Sequence, residues 1–197
     1  MSEVSSWGTL EGIKLLKIAL CALVSGLIIT GCSLESHRHT AKDIIKITDF
    51  ELSPDEEKVA FSAMAPVGNL DIWVIDIDGK GLKKLTFQDH SPTNHIARFF
   101  KKHHWADYFE IDMCSPKWTD NGRIAFCQEL TKYEMWGPRT ISRRFRTIKP
   151  DGTDKRPQVE SDRVIKEKPS ANIKVLLRNG NLWILKDGEV TPKRLIR

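Results

Sequence analysis

The sequence predicts an all-β fold made of four-stranded antiparallel units, and three observations carry that prediction. From residue 44 onward the chain is a series of short β-branched or aromatic runs, separated by dipeptides such as Asp78-Gly79 and Asn179-Gly180 that suit tight hairpins. No segment keeps apolar residues at helical spacing for long enough to predict a convincing helix. The strand-and-turn pattern also recurs along the chain. Composition agrees with a folded domain: of 197 residues, 40% are hydrophobic and 29% charged. The 31 Lys+Arg against 26 Asp+Glu leave a net charge of +5, too mild an excess for a nucleic-acid-binding tail.

The first element is a signal rather than part of the fold. Lys14 and Lys17 precede an uncharged run from Ile18 to Ile29, which is too short to span a bilayer and the right size for a secretory signal helix. It ends in Ile29-Thr30-Gly31-Cys32, which resembles the bacterial lipobox. The resemblance implies cleavage between Gly31 and Cys32, a diacylglyceryl group on the Cys32 thiol, acylation of the new amino terminus and firm membrane anchoring. Ser33, at the position where Asp usually retains such proteins, implies outer-membrane placement facing the periplasm in a two-membrane cell. Residues 1–31 are thus expected to be a signal peptide and 32–43, polar and aperiodic, a lipidated tether. The leader carries two charges of each sign, so its loss leaves the net charge at +5.

The domain is expected over residues 44–197, with strands at Lys46–Leu52, Lys58–Ala63, Asp71–Asp76, Leu82–Thr86, Arg123–Leu130, Arg144–Lys149, Ile173–Arg178 and Asn181–Lys186. Turns are expected at Ser53-Pro54-Asp55, Asp78-Gly79, Asp120-Asn121-Gly122, Asp151-Gly152, Asn179-Gly180 and Asp187-Gly188, each supplying Gly, Pro or Asx where the backbone needs a preset or positive φ. Cys114 and Cys127 flank the Asp120-Asn121-Gly122 hairpin. A three-residue loop would set Cys114 opposite Gln128 and Cys127 opposite Ser115, on opposite faces, so no bridge is assumed between them.

The strands fall into repeats. One unit runs Ser53-Pro54-Asp55, Val59-Ala60-Phe61, Asp71-Ile72-Trp73-Val74-Ile75 and Asp78-Gly79 to Leu85-Thr86. A second runs Ser115-Pro116-Lys117-Trp118, Ile124-Ala125-Phe126 and Asp151-Gly152, and a poorer third keeps Leu182-Trp183 and Asp187-Gly188. These blocks resemble the repeats of TolB-like β-propellers, most closely at 71–86 and 115–126. The resemblance implies a partial, about three-bladed propeller with blades near 44–87, 108–159 and 169–197 and an insertion at 88–107. Propellers close with four or more blades, so the rest of the ring would lie outside this chain or come from self-association.

The insertion holds His90, His95, His103 and His104, a spacing that fits a solvated loop better than a metal site; no metal and no cofactor is expected. It also holds Phe99, Phe100 and Trp105 among lysines, which suit contact with a membrane interface, a glycan or a protein, or else plug the gap left by missing blades. Arg143, Arg144 and Arg146 surround Phe145; on a strand Arg144 and Arg146 share a face that either meets anionic groups or guards a solvated edge. Asp76-Ile77-Asp78-Gly79 lacks the further ligands of a calcium loop and is assigned to a hairpin turn. No Gly-x-Ser-x-Gly elbow, phosphate loop or zinc-protease helix is present, so no catalytic residues are assigned. The expected function is a non-enzymatic envelope lipoprotein that binds a protein or peptidoglycan partner, without nucleic acid. The alternative is the propeller portion of a prolyl-oligopeptidase-type peptidase, or of another propeller enzyme, lacking its catalytic part.

Overall fold

Lys58–Met64 and Leu70–Asp76 read Lys-Val-Ala-Phe-Ser-Ala-Met and Leu-Asp-Ile-Trp-Val-Ile-Asp, with almost no alternation of apolar and polar residues. Such strands are stable only when both faces of their sheet are covered. A computed structural model shows that arrangement. It describes residues 40–66, 68–103, 107–166 and 172–196, apart from the Asp89 side chain. The predicted signal peptide, Gly31, Cys32, most of the tether, His104 and Trp105 lie outside the described residues.

The fold is all-β, in three antiparallel meanders. The first sheet joins β1 (Lys46–Leu52), β2 (Lys58–Met64), β3 (Leu70–Asp76) and β4 (Lys83–Lys84). The second joins β5 (Tyr108–Trp118), β6 (Ile124–Glu134), β7 (Gly137–Ile148) and β8 (Arg156–Pro157). The third joins β9 (Ile173–Arg178), β10 (Asn181–Lys186) and β11 (Lys193–Arg194). Between the first two sheets lies the helix α1 (Pro92–Lys102). Among the described residues no helix is long and apolar enough to cross a membrane.

The first sheet is the middle layer of a partial, propeller-like stack. Val59, Phe61, Trp73 and Ile75 point to one side and pack with Leu182, Ile184 and Leu195 of the third sheet. Ala60, Ile72 and Val74 point to the other and pack with Met113, Trp118, Phe126 and Ile148 of the second. Phe61 and Trp73 are cross-strand partners with stacked rings, centroids 6.4 Å apart. A bulge between Ile47 and Asp49 lets Ile47, Phe50 and Leu52 all reach the same core.

Turn chemistry repeats as the sequence suggests. The Lys58 N–H donates to Ser53 Oγ at 2.9 Å, and the Arg123 N–H to Thr119 Oγ1 at 3.0 Å. Asp78 accepts the Lys80 N–H and Asp151 the Thr153 N–H, both at 2.8 Å, while Gly79 and Gly152 take φ of +85° and +82°. The turn at 76–80 therefore uses its carboxylate internally, as a hairpin does.

Three expectations need correction. Part of the predicted insertion loop is helical: Ser91-Pro92 starts α1 and Lys101-Lys102 end it; the helix is short, its buried positions are Asn94 and Ala97, and its apolar Ile96 and Phe99 face solvent instead of the core. β5 spans 11 residues, of which only the Ser115-Pro116 signature was marked, and β6 and β7 run far beyond Leu130 and ahead of Arg144. Among the described residues the third unit has three strands instead of four. Upstream chain that could have provided its outer strand is used elsewhere: Val164 bridges Thr119, and the Ile165 N–H donates to the Trp118 carbonyl at 3.1 Å.

A buried polar relay joins the first sheet to α1 and β5. Asp71 faces Lys84 Nζ at 3.0 Å and accepts from the Thr86 hydroxyl at 2.7 Å and the Gln88 N–H at 2.9 Å. Asn94 then donates to the carbonyls of Gln88 (3.1 Å) and Ile111 (2.9 Å) and accepts the Ile111 N–H at 2.7 Å. Both donor and acceptor halves of the amide are thus satisfied, as a buried amide requires.

Two outcomes follow. Trp73→Ala removes the largest fully buried side chain and should lower the unfolding free energy by about 3–5 kcal/mol in a urea titration. Burial pushes the Asp71 carboxyl up to about 6, although Lys84, Thr86 and the Gln88 N–H pull it down. A carboxyl that holds its proton more tightly folded than unfolded favours the fold at low pH, and that share is lost as pH rises from about 4 to 6. The difference in stability between the parent and Asp71→Asn should therefore shrink over that window; a difference that grows would contradict the assignment.

Candidate functional site

The longest strands of the chain build an arm. β6 and β7 have 11 and 12 residues against 7 in β2 and β3, so about 13 Å of hairpin extends past the first sheet. Asp112 Oδ1 accepts the Leu70 N–H at 2.8 Å where the first sheet ends. Beyond it Tyr108–Glu110 pair with Thr131–Tyr133, and the ladder continues to Glu134 opposite Gly137. Gly137 takes φ of +117° to complete the turn at Met135-Trp136.

The arm is braced rather than free. Tyr108 and Tyr133 stack with centroids 4.9 Å apart, and the Lys101 ammonium of α1 sits 5.7 and 5.5 Å from their ring centroids while pairing with the enclosed Glu110 carboxylate. Lys132 and Glu134 pair at 2.6 Å. Burial and the nearby Glu110 and Asp112 carboxylates push the Tyr133 phenol up to about 12, so it remains protonated at neutral pH.

At the end of this frame stand exposed apolar side chains. Trp136 is 92% exposed, Met135 79% and Phe99, on the last turns of α1, 52%. Phe109 and Ile141 are also exposed, and Lys101, Lys132 and Arg139 lie among them. An ordered aromatic tip whose neighbouring cations are already paired with Glu110, Asp107 and Glu134 can insert its rings into a partner surface.

The sequence-predicted residues are distributed as follows. Phe99 reaches the surface and packs edge-on against Phe100 (5.9 Å) and beside His103 (4.5 Å). Arg143 lies on one face of β7 and donates to Glu129 at 2.6 Å. Arg144 and Arg146 share the other face, where Arg146 donates to Gln128 at 2.5 Å. Between Gly137 and Arg144 β7 pairs only with β6 among the described residues, so Arg143 and Arg144 line an open sheet edge, while Arg146 pairs with Pro157 of β8. Among the described residues His90, His95 and His103 do not gather into a ligand group. Met135 and Trp136 were missed, although Trp136-Gly137-Pro138 is a turn signal next to an alternating charged run.

At the opposite end of β6 an open cleft of about 730 Å³ lies between the turns of the first two sheets. Its cations are largely engaged within the fold. Lys58 pairs with Asp76, Arg123 with Asp154 at 2.8 Å, and Arg156 grips Asp162 with two bonds of 2.7 Å. Burial alone would raise the Asp162 carboxyl; Arg156, Asn121 and the Val159 N–H instead hold it well below the usual range. These pairs clamp the 154–164 segment across the second sheet and leave the cleft a poor anion trap. A third cluster, Cys114, Cys127 and Glu129, brings together side-chain atoms within 4.8 Å of one another.

No family model matches the chain, and no curated protein matches it. Among solved structures it is similar to a puromycin-hydrolysing peptidase of Mycobacterium tuberculosis, at 8% identity and a TM-score of 0.28. The likeness covers 77% of this chain and 28% of that one, so the chain spans under a third of the protein it matches.

Proposed function

We propose that this chain is a non-enzymatic binding module of the cell envelope, anchored by lipid on Cys32 and presenting its arm to a protein or peptidoglycan partner at the periplasmic face of the outer membrane. The observation that supports the binding role is the tip itself: two large apolar side chains, Trp136 and Met135, stand in solvent on a hairpin braced by the Lys101–Glu110 pair and the tyrosine stack. Exposed groups of this kind add nothing to the stability of the isolated chain, whereas covering them on a partner removes apolar area from water. Because the arm is already ordered, little conformational freedom is lost on docking.

The anchor supports the same reading. A short tether between Cys32 and the turn at Ala41–Asp43, where Ala41 and Ile44 already pack on the core, would hold the domain within a few nanometres of the membrane and raise its effective concentration at envelope surfaces.

Two measurements test the proposal. Full-length protein produced in a Gram-negative host should incorporate labelled palmitate and fractionate with the outer membrane, and Cys32→Ala should abolish both; labelling that persists in the variant refutes the anchor. Purified sacculi and chemical cross-linking in intact cells test the partner. Trp136→Ala with Phe99→Ala should cut co-sedimentation or cross-linking at least several-fold while shifting the melting temperature by no more than about 2 °C, since both side chains are exposed. Unchanged capture would remove the arm from the interface.

A further inference from the structure

Cys114 and Cys127 do not stand where a simple hairpin register would put them. Counting back from the 120–122 turn sets them one residue out of step, on opposite faces. The structure instead pairs Lys117 with Ala125 and then, across a register shift, Cys114 directly with Cys127. Ser115 and Pro116 together face the single residue Phe126 in this bulge, one residue more than the partner strand supplies, and Ser115 adopts φ of +54°. The bulge turns Cys114 onto the face that carries Cys127.

The two thiols are therefore neighbours. Their sulfurs lie within 4.8 Å of each other, and the Cys114 Sγ–H donates to the Cys127 carbonyl at 3.6 Å. Directly opposed residues on paired strands have Cβ atoms roughly 4.5–5.5 Å apart, and a disulfide needs about 3.5–4.5 Å, so closure requires a shift of about 1 Å. The bulge on the Cys114 side is where the ladder has the slack to supply it. Glu129, the third group near the sulfurs, is held by Arg143 Nε at 2.6 Å, which draws its carboxylate into an ion pair instead of offering it to a metal.

We propose that Cys114 and Cys127 are a disulfide-forming pair that staples β5 to β6 at the bulge, oxidised by exchange with a low-molecular-weight or protein disulfide. One cysteine thiolate attacks the oxidant's S–S bond, forms a mixed disulfide and expels one thiolate. The second cysteine thiolate attacks the protein sulfur of that mixed disulfide, forms the Cys114–Cys127 bond and expels the other. Two electrons pass from the cysteines to the oxidant, and the two thiol protons end on its two released thiols. Burial, followed by the Glu129 carboxylate, pushes the Cys114 thiol up to about 12, and the same causes raise Cys127, so exchange in the closed hairpin is slow. The bond belongs to the folding stage, while both thiols are open to solvent.

The test uses the full-length chain carrying Cys21→Ser and Cys32→Ser, unfolded and then refolded in a mixture of oxidised and reduced glutathione at pH 8. After quenching and unfolding, free thiols are alkylated and the protein is weighed. The expected product has no alkyl group, has lost two hydrogens, yields a linked peptide pair containing Cys114 and Cys127 that separates on reduction, and melts roughly 5 °C or more above the reduced form. Alkylation of both cysteines, or glutathione adducts on either, would overturn the proposal. So would stoichiometric zinc binding that blocks oxidation during refolding, which would assign the pair to a metal. If the substituted chain does not refold, peptide mapping of the unsubstituted chain purified without reductant reads the same linkage. A free Cys114 or Cys127 peptide there is equally decisive against it.

Discussion

Everything in this fold rests on the first sheet being covered on both sides. Val59, Phe61, Trp73 and Ile75 alternate with Ala60, Ile72 and Val74, and each set needs an apolar partner layer. The second sheet supplies one layer and the third the other, so the C-terminal strands return past the second sheet to pack against the first. The stacking order third, first, second differs from the chain order because the best unfilled apolar face belongs to the first sheet. The outer faces are less apolar: Lys174 and Arg178 lie on the third sheet, and Arg143 with Phe145 on the second.

From that core, order is passed outward through polar contacts. Asp71, Gln88, Asn94 and Ile111 form a continuous set of buried hydrogen bonds that fixes α1 against β5. The far end of α1 then delivers Lys101 to Glu110 and the two tyrosines, which hold the hairpin arm. Satisfied buried networks are rigid because every alternative arrangement leaves a donor or acceptor without a partner. An aromatic tip on such a frame differs physically from the same residues on a flexible loop, since its approach geometry is set before any partner arrives.

Part of this was legible in residues alone. β1, β9 and β10 have the bounds their composition predicts, because Asn179-Gly180 and Ser53-Pro54 terminate them through local backbone preferences. The helix was not, because it is short and its buried positions are Asn94 and Ala97, set by hydrogen bonding and close packing, while the apolar Ile96 and Phe99 face solvent. The arm was half-legible: Arg144 and Arg146 were correctly placed on one face, yet the strand around them was cut short. Thr131, Lys132 and Glu134 are polar on both faces of a hairpin that projects into water, so no alternation marks them as strand. The pairing of Cys114 with Cys127 was hidden by a bulge at Ser115-Pro116 that shifts the register by one residue, which counting back from the turn does not reveal.

The sequence by itself determined the all-β class, the tight turns and most strands of the core, since these depend on preferences confined to a few neighbouring residues. Tertiary structure alone decided which sheets stack, where β5 bulges, and how Lys101 of α1 reaches Tyr108, Tyr133 and Glu110 of the arm. Those outcomes are set by which faces are buried together and by hydrogen bonds between residues such as Asn94 and Ile111, far apart in sequence and joined only when the apolar layers close.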